Sequence, residues 1–353
     1  MFDKLIGNTT TSLRLRRMLE TNRLPGALLF AGAPGTGKKL FAVELAKALN
    51  CLAPRDGIEA CDRCRACVNI GRLPQAMRDA AAQIEKINET IVWSDHRDVG
   101  ALIRGGKNVI TVKAVRELER EANFRPGEGK RRVFIIDEAE RLNEAASNAL
   151  LKTLEEMSAH AHIFLVTAHP DALLTTIRSR CQTLRFAPLG NAEIEAHLVA
   201  EKLRAGAEAT LVSRLAQGNL ALALEMNVDN YRARRDDALT VLEALSHTPP
   251  DRARLLRHAE ELNDAKRKDD YVPSLDALEI LTRDVWLLAI GADETRIVNA
   301  DVRARLQELA ARIPARQCAA WLARIEELRR RLAFNLNRRI ATDALLLSMA
   351  AER

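Results

Sequence analysis

Long hydrophobic runs are missing from this sequence. No stretch comes near the ~18 consecutive apolar residues that a membrane-crossing helix needs. The opening MFDKLIGNTTTSLRLRRMLE also lacks the apolar centre of a secretory leader. Both absences lead us to expect a cytoplasmic chain with no membrane partner. Aromatic residues are scarce, at 4% of the chain, and no run of them interleaves with Lys and Arg. A module that stacks bases along a single strand would need such a run. A strong excess of one charge is absent too, since 54 basic residues face 48 acidic ones for a net +6. So small a surplus suits work near nucleic acid and equally suits an arginine-rich proteome, so it assigns nothing by itself. What remains is an ordinary globular composition, 47% apolar and 29% charged. At 353 residues the chain has room for two or three domains, each with its own core.

Cysteine is sparse except in one place. Cys181 and Cys318 stand alone, whereas Cys51, Cys61, Cys64 and Cys67 follow one another as Cys-x9-Cys-x2-Cys-x2-Cys. In a reducing compartment such a cluster argues for metal rather than disulfides. Four thiolates complete a tetrahedron around Zn²⁺ and leave no position for water, so the expected role of the ion is structural.

The order of apolar runs gives the fold class. GALLFAG (26–32) reads as a strand ending at a glycine loop, and LFAVELAKAL (40–49) continues as a helix. After the cysteines the chain reads as irregular to about residue 110, and TVKAVRELEREANF (111–124) as an amphipathic helix. Val133–Ile136 and HIFLVTA (162–168) read as strands buried on both faces, with QTLRF (182–186) a shorter one. Between them NEAASNALLKTLEEM (143–157) starts at Asn143, a good N-cap. Strands alternating with helices predict an α/β core with a parallel sheet. From Pro188 the pattern becomes wholly helical, first a small unit and then, beyond about 229, longer helices. Two stripes stand out there: Leu278, Leu281, Val285 and Leu288, and Trp321, Ile325, Leu328 and Leu332. AKRKDDYVP (265–273) reads as an exposed connection.

GAPGTGKK carries the chemistry. Gly32, Gly37 and Lys38 fit the nucleotide-binding loop G-x-x-x-x-G-K-[ST], but Lys39 stands where the hydroxyl should be. That hydroxyl ligates Mg²⁺, and an ammonium has no lone pair to offer. Asp137 and Glu138 close the VFIID strand, where such enzymes place a metal-supporting Asp and a Glu that orients water. Arg178 and Arg180 precede the last short strand. In an oligomer, an arginine at a subunit edge can reach a neighbour's γ-phosphate and stabilise the transition state in trans.

The loop, the four-cysteine module, then DEAE, then Ser179-Arg180-Cys181 together resemble the clamp-loader branch of the AAA+ ATPases, over nearly the whole chain. LIGN (5–8) is similar to that family's adenine-side box. ITVKAVRELEREANFRPGEGKRRVFIIDEAERLNEAASNALLKTLEE is similar to its most recognisable block, and NLNRRIATDALLLSMA (335–350) to its last collar helix. The resemblance is nearest to the subunits of bacterial DNA polymerase III that do not hydrolyse ATP. It implies an AAA+ core at 1–187 with a zinc module at 51–67, a helical lid at 188–228 and a collar domain at 229–353. It further implies a hetero-pentamer with gamma/tau- and delta-type subunits that places a sliding clamp on primed DNA. Within the polymerase holoenzyme this chain would have no polymerase activity of its own.

The same resemblance implies that Arg180 serves a neighbour's ATP. Gly32, Gly35, Gly37, Lys38, Asp137 and Glu138 would form a degenerate nucleotide site, with ATP and Mg²⁺ weak or absent here and bound by the adjacent subunit. Lys39 lacks the hydroxyl, Ala168 stands where a motor shows a polar sensor, and Ala221 stands in place of a lid arginine. The alternative is an active motor subunit of the same complex, with water replacing the hydroxyl. A zinc-bearing DNA-binding module is a third reading, which the lack of interleaved aromatics disfavours. Asn335, Arg338 and Arg339 lie by the collar-like helix without an assigned contact.

Overall fold

Apolar runs that alternate with helices become strands covered on both sides. In the computed structural model, residues 2, 5–83, 91–105, 108–263, 269–332 and 336–351 are described. Asn335 and positions 265–268 of the expected charged connection lie outside them. Helix α1 (Thr9–Glu20) leads into β1 (Ala27–Gly32) and α2 (Lys38–Asn50), followed by α3 (Arg65–Gly71) and α4 (Leu73–Ala82). Two short strands, β2 (Val92–Trp93) and β3 (Val99–Leu102), precede α5 (Val112–Ala122). Then β4 (Arg132–Ile136), α6 (Glu144–Glu155), β5 (Ala161–Thr167), α7 (Thr175–Arg180) and β6 (Gln182–Phe186) alternate. The stretch expected to be irregular to about residue 110 thus holds two helices and two strands.

The sheet runs β2-β3-β4-β5-β1-β6, parallel throughout except for the β2–β3 pair. Strand periodicity splits its side chains cleanly. Leu28, Phe30, Val133, Ile135, Phe164 and Val166 face a core shared with α1, α2 and the cysteine segment. Leu29, Ala31, Phe134, Ile136, Ile163 and Leu165 face the opposite core, built with α5, α6 and α7. With helices on both faces β1, β4 and β5 are buried at nearly every position, so their apolar runs are continuous rather than alternating, while the edge strand β6 buries only Leu184 and Phe186. Asn143 caps α6 as its sequence position suggests, its Oδ1 accepting from Ala146 N at 2.8 Å. This order sets the carboxyl ends of β1, β5 and β4 side by side, the usual place for a ligand in an open parallel sheet.

Helices α8 (Asn191–Ala200), α9 (Gly206–Leu215) and α10 (Leu220–Glu225) follow the sheet. The chain divides into two compact units. Residues 1–201 with 216–224 form the first, and 202–215 with 225–353 the second. The second unit continues with α11 (Val228–Ser246), α12 (Arg252–Leu262), α13 (Tyr271–Ala289), α14 (Arg303–Arg312), α15 (Ala315–Arg331) and α16 (Arg338–Ala351). Both expected stripes enter its core: Leu278, Leu281, Val285, Trp321, Ile325 and Leu328 are buried, and Leu288 and Leu332 pack at its margin. Several of its buried polar groups are partnered, although Arg235 Nε and Ser274 Oγ are buried without a hydrogen bond. Trp321 Nε1 donates to Met349 O at 2.9 Å, and Asp284 accepts from Val298 N, Asn299 N and Asn299 Nδ2, each at 2.9 Å. Among the described residues no helix is long and apolar enough to cross a membrane.

Candidate functional site

Glycine sits where the loop has no room for a side chain. At the end of β1, a Cβ on Gly32 would lie 2.2 Å from Phe186 O on the adjacent strand. The chain then turns through Gly35 (φ 71°) and Gly37 (φ 84°), both left-handed, and α2 begins at Lys38. Thr36 Oγ1 ties the turn by donating to Ala33 O at 2.9 Å. Lys38 is buried, and its Nζ donates to Gly32 O at 2.7 Å and Ala33 O at 2.5 Å. Burial pulls its pKa below the usual 10.5, against the opposing pull of Glu140 and Asp137. Among the described residues, no hydrogen bond takes up the backbone N–H groups of Gly35 to Lys39. That is the state of a helix N-terminus able to receive an anion.

Beside this loop lies a cleft of about 810 Å³, lined among others by Lys38, Lys39, Asp137, Glu138, Glu140 and Ala221. Its acids are already engaged. Lys39 Nζ stands 2.6 Å from Asp137 Oδ2. Glu138, itself left-handed at φ 49°, has its Oε2 3.1 Å from Arg104 Nε. Glu140 Oε1 accepts weakly from Ala168 N at 3.4 Å, while its Oε2 is buried with no hydrogen-bond partner. The donor set therefore does not suit Mg²⁺. The hydroxyl is missing, and an ammonium occupies the face of the carboxylate that would support the ion. Helix α10 is fastened over the loop: Leu220 N donates to Gly35 O at 3.2 Å, and the Oδ1 of Asn219 caps the helix through Leu222 N at 3.0 Å.

The four cysteines converge. Their Sγ atoms all lie within 4.8 Å of one another, with Cys51 and Cys64 3.9 Å apart. All four are free thiols, and a disulfide would need about 2.05 Å. A tetrahedron with Zn–S arms of about 2.3 Å has edges near 3.8 Å, so the cluster fits such an ion. Helix ends set this up, since Cys51 terminates α2, Cys64 starts α3 and Cys67 follows one turn on. Hydrogen bonds from the N–H groups of Arg63 and Cys64 pull the Cys61 thiol down to about 6, towards the thiolate a metal requires. Behind the cluster, Lys47 is buried between Glu44 and Asp62, at 2.5 Å from each.

Arg180 lies elsewhere, at the end of α7 and outside the cleft lining. Its guanidinium pairs with Glu155 of α6, with Nε–Oε1 at 2.8 Å, and remains more than a third exposed. Arg178 pairs with Asp171 at 2.6 Å. The structure thus gathers Gly32, Gly35, Gly37, Lys38, Asp137 and Glu138 at one end of the sheet and the cysteines in a second cluster. Arg180 stands apart from both, on the surface. Sequence reasoning missed Arg104 and Asn219, which belong to no motif, and the carboxylate of Glu140, which stands in the DEAE run two residues after the acidic pair.

A family model described as DNA polymerase III, delta subunit, matches residues 7–190, and one described as its C-terminal part matches residues 221–350. The chain is 30% identical over 328 residues to the delta' subunit of DNA polymerase III from Escherichia coli, covering 91% of this chain and 87% of that protein. It is 28% identical over 336 residues to the Bacillus subtilis delta' subunit, covering 95% and 94%. Among solved structures, a DNA polymerase III gamma subunit-related protein from Thermotoga maritima aligns over 96% of this chain and 98% of its own, at 14% identity and a TM-score of 0.42.

Proposed function

We propose that this chain, which belongs to the delta-subunit family of DNA polymerase III, is its delta'-type clamp-loader subunit and works as a stator that does not hydrolyse ATP. The observation that carries the second half is the Lys39–Asp137 ion pair at 2.6 Å. An active motor subunit needs that carboxylate for Mg²⁺, and here the chain's own ammonium engages it. Glu138 is likewise tied to Arg104 instead of being free to orient water. Ala168 and Ala221 add nothing that could stabilise a γ-phosphate.

Catalytic help would then pass outward. Arg180 is exposed, held by a surface carboxylate it can leave at little cost, and placed at the end of a short helix. In a hetero-pentamer with gamma/tau- and delta-type subunits it serves the ATP of an adjacent motor subunit, while the complex loads a sliding clamp onto primed DNA. The core (1–187), lid (188–228) and collar (229–353) divide the work into site, cover and oligomer contact. Zn²⁺, held by Cys51, Cys61, Cys64 and Cys67, would act structurally by cross-linking the ends of α2 and α3. Such a complex works in the cytoplasm.

The test is Arg180→Ala in the reconstituted clamp loader. The variant should fold and assemble normally, because a surface ion pair contributes only about 0–1 kcal/mol. DNA-stimulated ATP turnover at the adjacent site should fall roughly 10³-fold, and Arg180→Lys should not restore it. Unchanged turnover with normal assembly refutes the trans role.

A further inference from the structure

Lys39 departs from the loop pattern, but it is not a simple vacancy of function. Its ammonium stands beside Asp137, in the corner of the cleft where a divalent ion would bridge protein and phosphate. Resting on the reading of this cleft as a degenerate nucleotide site, we propose that the Lys39 ammonium substitutes for the divalent cation. The cleft then becomes a metal-independent site for the phosphate chain of a nucleoside di- or triphosphate.

The charges support this assignment. The lining holds three cations, Lys38, Lys39 and Arg141, against three carboxylates, Asp137, Glu138 and Glu140. Glu138 is neutralised from outside that set by Arg104, so the cleft with Arg104 keeps a net positive charge. Arg141 is exposed and has no ion-pair partner among the described residues. The N–H groups of Gly35 to Lys39 are open, and Lys38 already lies against the loop carbonyls. A phosphate chain entering here meets donors at the helix start and two ammonium groups.

Lys39 brings one charge where Mg²⁺ brings two, and it cannot bridge two phosphates in an octahedral shell. Binding is therefore weaker than at a motor site and leads to no hydrolysis. It also responds to metal in the opposite sense. A Mg²⁺ ion carried in on the phosphates would arrive next to Lys39 as a like charge, so metal weakens binding at this site where it strengthens binding at an ordinary one. Glu140 is the opposing feature. Its unpartnered Oε2 disfavours a fully ionised phosphate nearby and limits the affinity further.

The experiment titrates the full chain with a fluorescent ATP analogue, in EDTA and in Mg²⁺. The wild type should bind in EDTA, lose affinity several-fold on adding Mg²⁺, and release the analogue to tripolyphosphate but not to adenosine. Lys39→Thr restores a hydroxyl and frees Asp137, so its metal response should invert, with Mg²⁺ tightening binding about tenfold or more. Asp137→Asn removes a carboxylate without touching the ammonium and should bind in EDTA at least as well as the wild type. No binding in EDTA, tightening of the wild type by Mg²⁺, displacement by adenosine alone, or Lys39→Thr keeping the wild-type metal response would each overturn the proposal. Tightening of the wild type by Mg²⁺ would also count against the non-hydrolysing reading, which rests on the same Lys39–Asp137 pair. The other outcomes bear on this proposal alone, and the trans role of Arg180 is decided separately by turnover in the assembled complex.

Discussion

Gly35 bears more constraint than its place in a consensus motif suggests. Its φ of 71° is open to glycine and strained for any other residue, and a Cβ there would fall 1.6 Å from Asn219 Oδ1. Gly35→Ala should therefore destabilise the sheet-bearing unit by roughly 1–3 kcal/mol through strain at the turn and a displaced α10. Pairing it with Asn219→Gly should recover part of that loss, because the clash goes while the backbone strain stays. Denaturant unfolding of the two variants measures this, and a neutral Gly35→Ala would refute it. The glycines and Lys38 were legible in the sequence because a phosphate loop fixes their spacing within a few residues. The partners of Lys39 and Glu138 were not. Asp137 lies far along the chain from Lys39, and Arg104 belongs to no recognisable motif. Both pairs exist only because sheet order brings the ends of distant strands together.

Strands were readable where the sheet is thickest. β1, β4 and β5 are mostly apolar and buried at nearly every position, which erases any alternation, whereas β6 buries only Leu184 and Phe186. The β2–β3 pair escaped notice because it spans two residues and four, and its middle is Gly100. A Cβ there would sit 2.5 Å from Ile91 Cγ2, so the glycine lets neighbouring side chains lie across the strand. Helices α3 and α4 were hidden for a different reason: they depend on what the cysteines do. Cys51, Cys61, Cys67, Ile70, Leu73 and Met77 belong to one patch of core, so the cysteine cluster and the two helices support each other. Stripping the metal with a strong chelator should speed hydrogen exchange across 51–77 by at least about tenfold, with little change in α5 and α6. Cys67→Ser should show the same local loosening even with Zn²⁺ in excess. Equal protection with and without metal would mean that the apolar patch alone holds the segment.

Acid should separate the two units of the molecule, because their buried titrating groups are shifted in opposite directions. In the sheet-bearing unit, burial holds His96 and His162 below the ordinary imidazole value of 6.5. Glu128 and Asp98 partly oppose this at His96, and the Pro25 carbonyl does so at His162. The unfolded chain takes up those protons first, so the stability tied to neutral imidazoles is full above 6.5 and drains away as pH falls below it. Asp98 adds a later loss. Burial works against its charge, but three N–H groups from Gly127, Glu128 and Gly129 outweigh it, and the pKa falls below 3.8. In the helical unit the sign reverses. Burial raises Asp284 above 3.8 despite the hydrogen bonds from Val298 and Asn299. There the folded state holds a proton that the unfolded state has released, so its penalty at neutral pH is relieved on acidification. Between pH 7.5 and 5.5, with Zn²⁺ supplied in excess to keep the thiolates engaged, β4 and β5 should lose hydrogen-exchange protection relative to α13 and α15. The rates must first be corrected for intrinsic exchange. His162 Nε2 is buried without a partner, so His162→Gln should reduce the pH slope of the first unit and leave the second unchanged. A uniform loss across both units, or a slope untouched by that substitution, would show that acid acts on the chain through general charge rather than through these buried groups.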